Sequence, residues 1–188
     1  MDELQHQWLN TVRMIDRLGP EKAGPQIAFR NALTAEWGKR AKEAARNPGQ
    51  FAWPSTKAAP GAGNLKSGDW HVIGMLSYLG YRVGAAQGEK PGVRHQILDT
   101  CFSCDLPPIN GPAYLAEWGA PATASRLKKL AHELASFIRN AKRKRSANLS
   151  VAIDDWEEDL SYLYETYYVR RFGFSWPRVE LGAPPPRT

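Results

Sequence analysis

Eight lysine and arginine side chains lie between Arg126 and Arg145, with Glu133 the one acid among them, and six acids without a base follow from Asp154 to Glu165. The chemistry open to such a run is binding of a polyanion. Leu127, Leu130, Leu134, Phe137 and Ala141 recur at spacings of three and four, which predicts one buried helical seam. That seam turns Lys128, Lys129, Arg139, Lys142 and Arg143 outward as a stripe about 25 to 30 Å long at a rise of ~1.5 Å per residue. Lys144 and Arg145 extend it at the helix C-terminus, where the macrodipole favours cations. A phosphate backbone is the ligand such a stripe fits. An acidic protein partner and an ordinary solvated helix face are the competing readings.

Other residue types offer chemistry only in fragments. Cys101 and Cys104, the only cysteines, form half of a zinc signature without a second pair, and none of His71, His95 and His132 stands at the paired spacing that would complete it. Two buried reduced thiols are expected, with no metal and no cofactor. Gly61–Ser67 lacks the glycine directly before its lysine that a phosphate-binding loop needs, because Leu65 stands there. A linker is the better reading. Asp69, His71 and His95 form an acid–base set only if loops bring them together, and an Asp opening a helix more often caps it. The acids Asp154, Asp155, Glu157, Glu158 and Asp159 cluster in one dimension. On a helix they fan around the axis, and their place in the first turns suits the dipole. No nucleophile–base motif occurs, so no catalytic residue is assigned.

The elements that position these groups read as helices. Leu4, Trp8, Val12, Ile15 and Leu18 share one side of a first helix, which Gly19-Pro20 ends. A second runs from about Pro25 to Arg46. Residues 55–67 are rich in Pro, Gly and Ala and mark a boundary. From Asp69 to Val83 the apolar residues cover so much of a helix that a central, buried element is expected. Pro91 to Phe102 forms another helix, and Ala113–Trp118 a short one. Thr123 or Ser125 caps the basic helix, and Leu149, Ile153, Trp156, Leu160, Leu163 and Tyr167 form the seam of the acidic one. Phe172–Val179 alone hints at a strand.

The tetrapeptides Ala35-Glu-Trp-Gly38 and Ala116-Glu-Trp-Gly119, and likewise Phe51-Ala-Trp-Pro54 and Phe174-Ser-Trp-Pro177, recur without a fixed period. Tryptophans that close helix ends explain them better than a repeat or a shared ligand-binding turn.

The expected fold is therefore all-α: an irregular helical bundle with a C-terminal antiparallel helical hairpin. Residues 1–56 are read as an N-terminal helical pair, 64–178 as the main domain and 179–188 as a Pro-rich tail. A formal charge of +6 fits a nucleic-acid or acidic-protein partner. The first twenty residues hold no apolar signal core and no run is long enough to span a bilayer, so a reducing cytoplasm without a membrane partner is expected. The function expected is non-enzymatic nucleic-acid binding by an accessory or regulatory protein. A protein–protein adaptor is the alternative, and an enzyme built on Asp69, His71 and His95 a more distant one.

Overall fold

The computed structural model describes residues 3–46, 74–144 and 148–180. Among the described residues seven α-helices follow one another: α1 (Glu3–Leu18), α2 (Gly24–Arg46), α3 (Met75–Tyr78), α4 (Pro91–Ser103), α5 (Pro112–Trp118), α6 (Ala124–Arg143) and α7 (Ser150–Leu163). A single π-helical turn, Tyr164–Tyr168, extends α7. No strand occurs among the described residues, and the chain is all-α. Residues 172–179, where alternation hinted at a strand, form an irregular strap instead.

The helix ends follow from local chemistry. Pro91 and Pro112 sit in the first turns of α4 and α5, where a missing N–H costs nothing. Thr123 caps α6, its Oγ accepting from the Arg126 N–H at 3.3 Å. Gly80 stops α3. It adopts φ +87°, its N–H reaches the Ser77 carbonyl, and the Tyr81 N–H reaches that of Leu76. This paired arrangement closes a helix over a left-handed residue. A long helix continuing to Val83 is thereby corrected, and residues 69–73 of it lie outside the described residues. The apolar count there was right about burial, since Met75, Leu76, Leu79 and Tyr81 are all buried, but a glycine conformation interrupts the helix that would have carried them.

The central position belongs to α4. Val93, Arg94, Ile97, Leu98, Thr100, Cys101 and Phe102 are buried around most of its circumference, and it touches α1, α3, α6 and α7. Trp8, Leu9 and Val12 of α1 and Leu33 and Trp37 of α2 belong to the same apolar cluster as Ile97, Leu130 and Leu163. Trp8 and Trp37 meet at 5.3 Å between ring centroids. Three buried threonines satisfy themselves: Thr11, Thr34 and Thr100 each donate to the carbonyl four residues back at 2.7–2.9 Å, so they enter the core without an orphaned hydroxyl.

The two Ala-Glu-Trp-Gly segments serve different ends. Trp118 is buried at the end of α5, and Gly119 ends that helix at φ +70°. Trp37, by contrast, lies within α2, and the expectation that it closes a helix end is corrected. Its neighbour Gly38 has no side chain because the Asp105 carboxylate occupies that space, 2.3 Å from where a Cβ would stand.

Candidate functional site

The position of α6 is set by a residue whose charge suggested solvent. Arg126 is buried. Its guanidinium donates to the carbonyls of Cys101 and Cys104 at 2.7 and 3.1 Å, of Trp118 at 2.9 Å, and of Gly119 at 2.6 and 3.2 Å. One side chain thus satisfies carbonyls left open at the ends of α4 and α5 and pins the start of α6 to both. Desolvation pulls its pKa down, but a guanidinium stays charged at any physiological pH. Beyond it, Leu127, Leu130, Ala131, Leu134, Ala135, Ile138 and Ala141 form the buried face. Phe137, expected in this seam, is 36% exposed and packs at the rim, tilted by 40°, against half-buried Trp156 at 5.7 Å. Ile138 takes the core position.

With about 100° per residue, the side opposite that face carries Lys128, His132, Arg139 and Arg143 within an arc of about 60°. Lys128, His132 and Arg143 are exposed and Arg139 is half-buried. Arg139 donates to the Arg178 carbonyl at 2.8 Å, which ties the C-terminal strap to the helix. From Lys128 to Arg143 the stripe spans about 22 Å at a rise of ~1.5 Å per residue. Among the described residues no acid pairs with Lys128, His132, Arg139 or Arg143.

The expected outward placement is corrected for Lys129 and Lys142, which flank the stripe. Lys129 lies 3.2 Å from Glu117 and 3.4 Å from Glu133, with its ammonium over the Trp118 ring. Desolvation works against that charge, yet the two carboxylates raise its pKa overall. Glu133 is itself pushed up by burial, against the pull of Lys129. Lys142 meets Glu157 of α7 at 2.6 Å. The flanks are thus neutralised by neighbours while the outer arc keeps its charge. Lys144, just past the helix, is exposed; Arg145 lies outside the described residues. His132 was not among the expected stripe residues. Partial desolvation, then Lys128 and Arg139, hold its pKa below the ordinary imidazole value.

A second constellation went unread in the sequence. Asp159 of α7 is completely buried and faces Arg94 of α4, itself 2% exposed. The Arg94 guanidinium donates to Asp159 at 2.8 Å and Glu158 at 2.8 Å, lies 3.2 Å from Asp155, and reaches the Glu89 carbonyl at 3.0 Å. Asp159 also accepts from the Tyr81 hydroxyl, and its other oxygen lies 3.2 Å from His95 Nε2. Desolvation, with Asp159 alongside, drives the Tyr81 phenol well above its usual range. His95 stacks on Tyr162 at 3.8 Å, and Tyr162 and Tyr167 both donate to Asp99. Of the five acids read as fanning around the helix axis, three, Asp155, Glu158 and Asp159, are engaged by Arg94 of α4. His95 belongs to this network, while Asp69 and His71 lie outside the described residues. Cys101 is buried and Cys104 half-buried, both as free thiols pushed up by desolvation.

Beside the stripe lies a groove of about 720 Å³ between α7 and the strap, lined by Lys142, Glu157, Tyr164, Glu165, Trp176 and Arg178 among others. No helix of the described residues is long and apolar enough to cross a membrane. Comparison with protein-family models, curated proteins and solved structures finds no match.

Proposed function

We propose that the chain is a non-enzymatic nucleic-acid-binding protein of accessory or regulatory type, and that the outer arc of α6 holds the phosphate backbone. What supports this is the partition of charge along that helix. Lys128, Arg139 and Arg143, with His132 among them, share one solvent-facing arc free of acids, while the flanking Lys129 and Lys142 are neutralised by carboxylates. Phosphate contacts position a protein without reading bases, so sequence preference is not part of this reading.

The test is titration of the full chain with fluorescent DNA and RNA across salt. Three cations on the arc predict a slope of log K on log salt of about −2 for a single strand and about −3 for a duplex. The double variant K128E/R143E should abolish most of that affinity, and it leaves every internal ion pair intact. A flat titration at low salt would remove the proposal. Recovery of an acidic polypeptide on the same arc would then put the adaptor in its place.

A further inference from the structure

The groove between α7 and the strap carries features that a duplex does not need. Tyr164 is 40% exposed on its wall, and half-buried Trp176 stands against it with ring centroids 5.2 Å apart, edge to face. Tyr168 and Phe174 back the indole at 4.8 and 6.0 Å, and the Tyr168 hydroxyl donates to the Phe174 carbonyl, tying the strap to the π-helical turn. The platform is thus braced rather than loose. At about 720 Å³ the groove falls within the usual range for small planar ligands.

Its position joins it to the stripe. Arg139, on the outer arc, holds the backbone of Arg178, which forms part of the groove wall, and Lys142 lines the groove one residue before Arg143 of the arc. Three acids, Glu157, Glu165 and Glu180, also line it. Glu157 is paired with Lys142; the others oppose entry of a phosphate and can accept hydrogen bonds from the N–H donors of unpaired bases.

From this juxtaposition we infer that the groove takes unpaired bases, so that the ligand of the proposed interface is single-stranded nucleic acid, with its backbone on α6 and its bases against Trp176 and Tyr164. The inference rests on the polyanion reading of the stripe. Basic tracks beside aromatic platforms are how single strands are held without sequence preference. In a duplex the base faces are stacked on one another and cannot reach such a platform.

The test uses the full chain with fluorescein-labelled oligothymidine of about 12 nucleotides and a mixed-sequence duplex of matching length. Tyr164→Ala and Trp176→Ala should each weaken single-strand binding roughly five- to hundredfold, the range for one lost base stack. Duplex affinity should stay within about twofold, because only phosphate contacts are left to it. Trp176→Phe, which keeps a stacking face if Trp176→Ala disturbs the strap, should retain most single-strand affinity. Tyr164→Ala removes an exposed ring and serves as the second check. Groove variants that lower both affinities equally, or neither, would overturn the inference while a loss confined to K128E/R143E kept the stripe. A wild-type chain that binds neither oligonucleotide at low salt would overturn both.

Discussion

Replacing Arg94 by Met isolates what the α4–α7 network contributes, because methionine fills much of the same volume and removes only the charge and its donors. Of the three carboxylates around the guanidinium, Glu158 is mostly exposed and loses little. Asp155 keeps the Gly84 N–H at 2.8 Å. Asp159 is the one stranded. It is fully buried, and only the Tyr81 hydroxyl and the nearby His95 ring remain to it. Two charges about 4 Å apart interact by about 4 kcal/mol at an effective dielectric of 20, in line with the roughly 3–5 kcal/mol measured when one partner of a buried pair is removed. A destabilisation of about 3–5 kcal/mol is therefore expected from urea unfolding followed by helical circular dichroism. Asp159→Leu should cost less, about 1–3 kcal/mol, chiefly through the orphaned Tyr81 hydroxyl, since Arg94 keeps Asp155, Glu158 and the Glu89 carbonyl.

A deficit in Arg94→Met smaller than that of Asp159→Leu would show that Asp159 is not held by Arg94.

Two further outcomes are expected. Gly80→Ala must accept both a left-handed φ of +87° and a Cβ 2.4 Å from the Leu9 side chain; strain and overpacking together should lower stability by about 2–4 kcal/mol, and a change under about 0.5 kcal/mol would refute the packing of α1 over α3. His132 has its pKa lowered by desolvation, Lys128 and Arg139, and a bound phosphate opposes those two cations, so binding takes up a proton and affinity should rise as pH falls through the imidazole range, by at most about tenfold per unit. In His132→Gln that component should vanish from anisotropy titrations, and its persistence would place the titrating group elsewhere.

The helical class was legible because periodicity, proline and glycine agreed along most of the chain. Where it misled, one backbone conformation outweighed a good pattern. Gly80 takes a left-handed turn that closes α3 in four residues, and the buried residues expected on one long helix are divided between that helix and the turn after it. The central element became α4, which no amphipathic pattern announces because it is buried on nearly every side and includes an arginine.

The same limit explains the site. Charge type is written in the sequence, but whether a charge faces water depends on partners far away along the chain. Arg126, Lys129 and Lys142 look alike beside Lys128 and Arg143. The first closes carbonyls 7 to 25 residues away, and the second reaches Glu117 beyond its own helix. The third meets Glu157 of α7. Asp159 differs from Asp154 only by five positions, which carries it from the exposed side of α7 to the face against α4. One signal in the sequence did point there: Leu160 and Leu163 define the buried side of α7, and Asp159 and Ala152 lie within the same arc at about 100° per residue. An acid on a buried arc requires a cation from the opposing helix, and Arg94, in register with Ile97 and Cys101 on α4, stands on such an arc as well. Reading the two arcs against each other would have paired them before any coordinates. It would also have left Lys128, His132 and Arg143 on the outer arc of α6 without an acid from a neighbouring element.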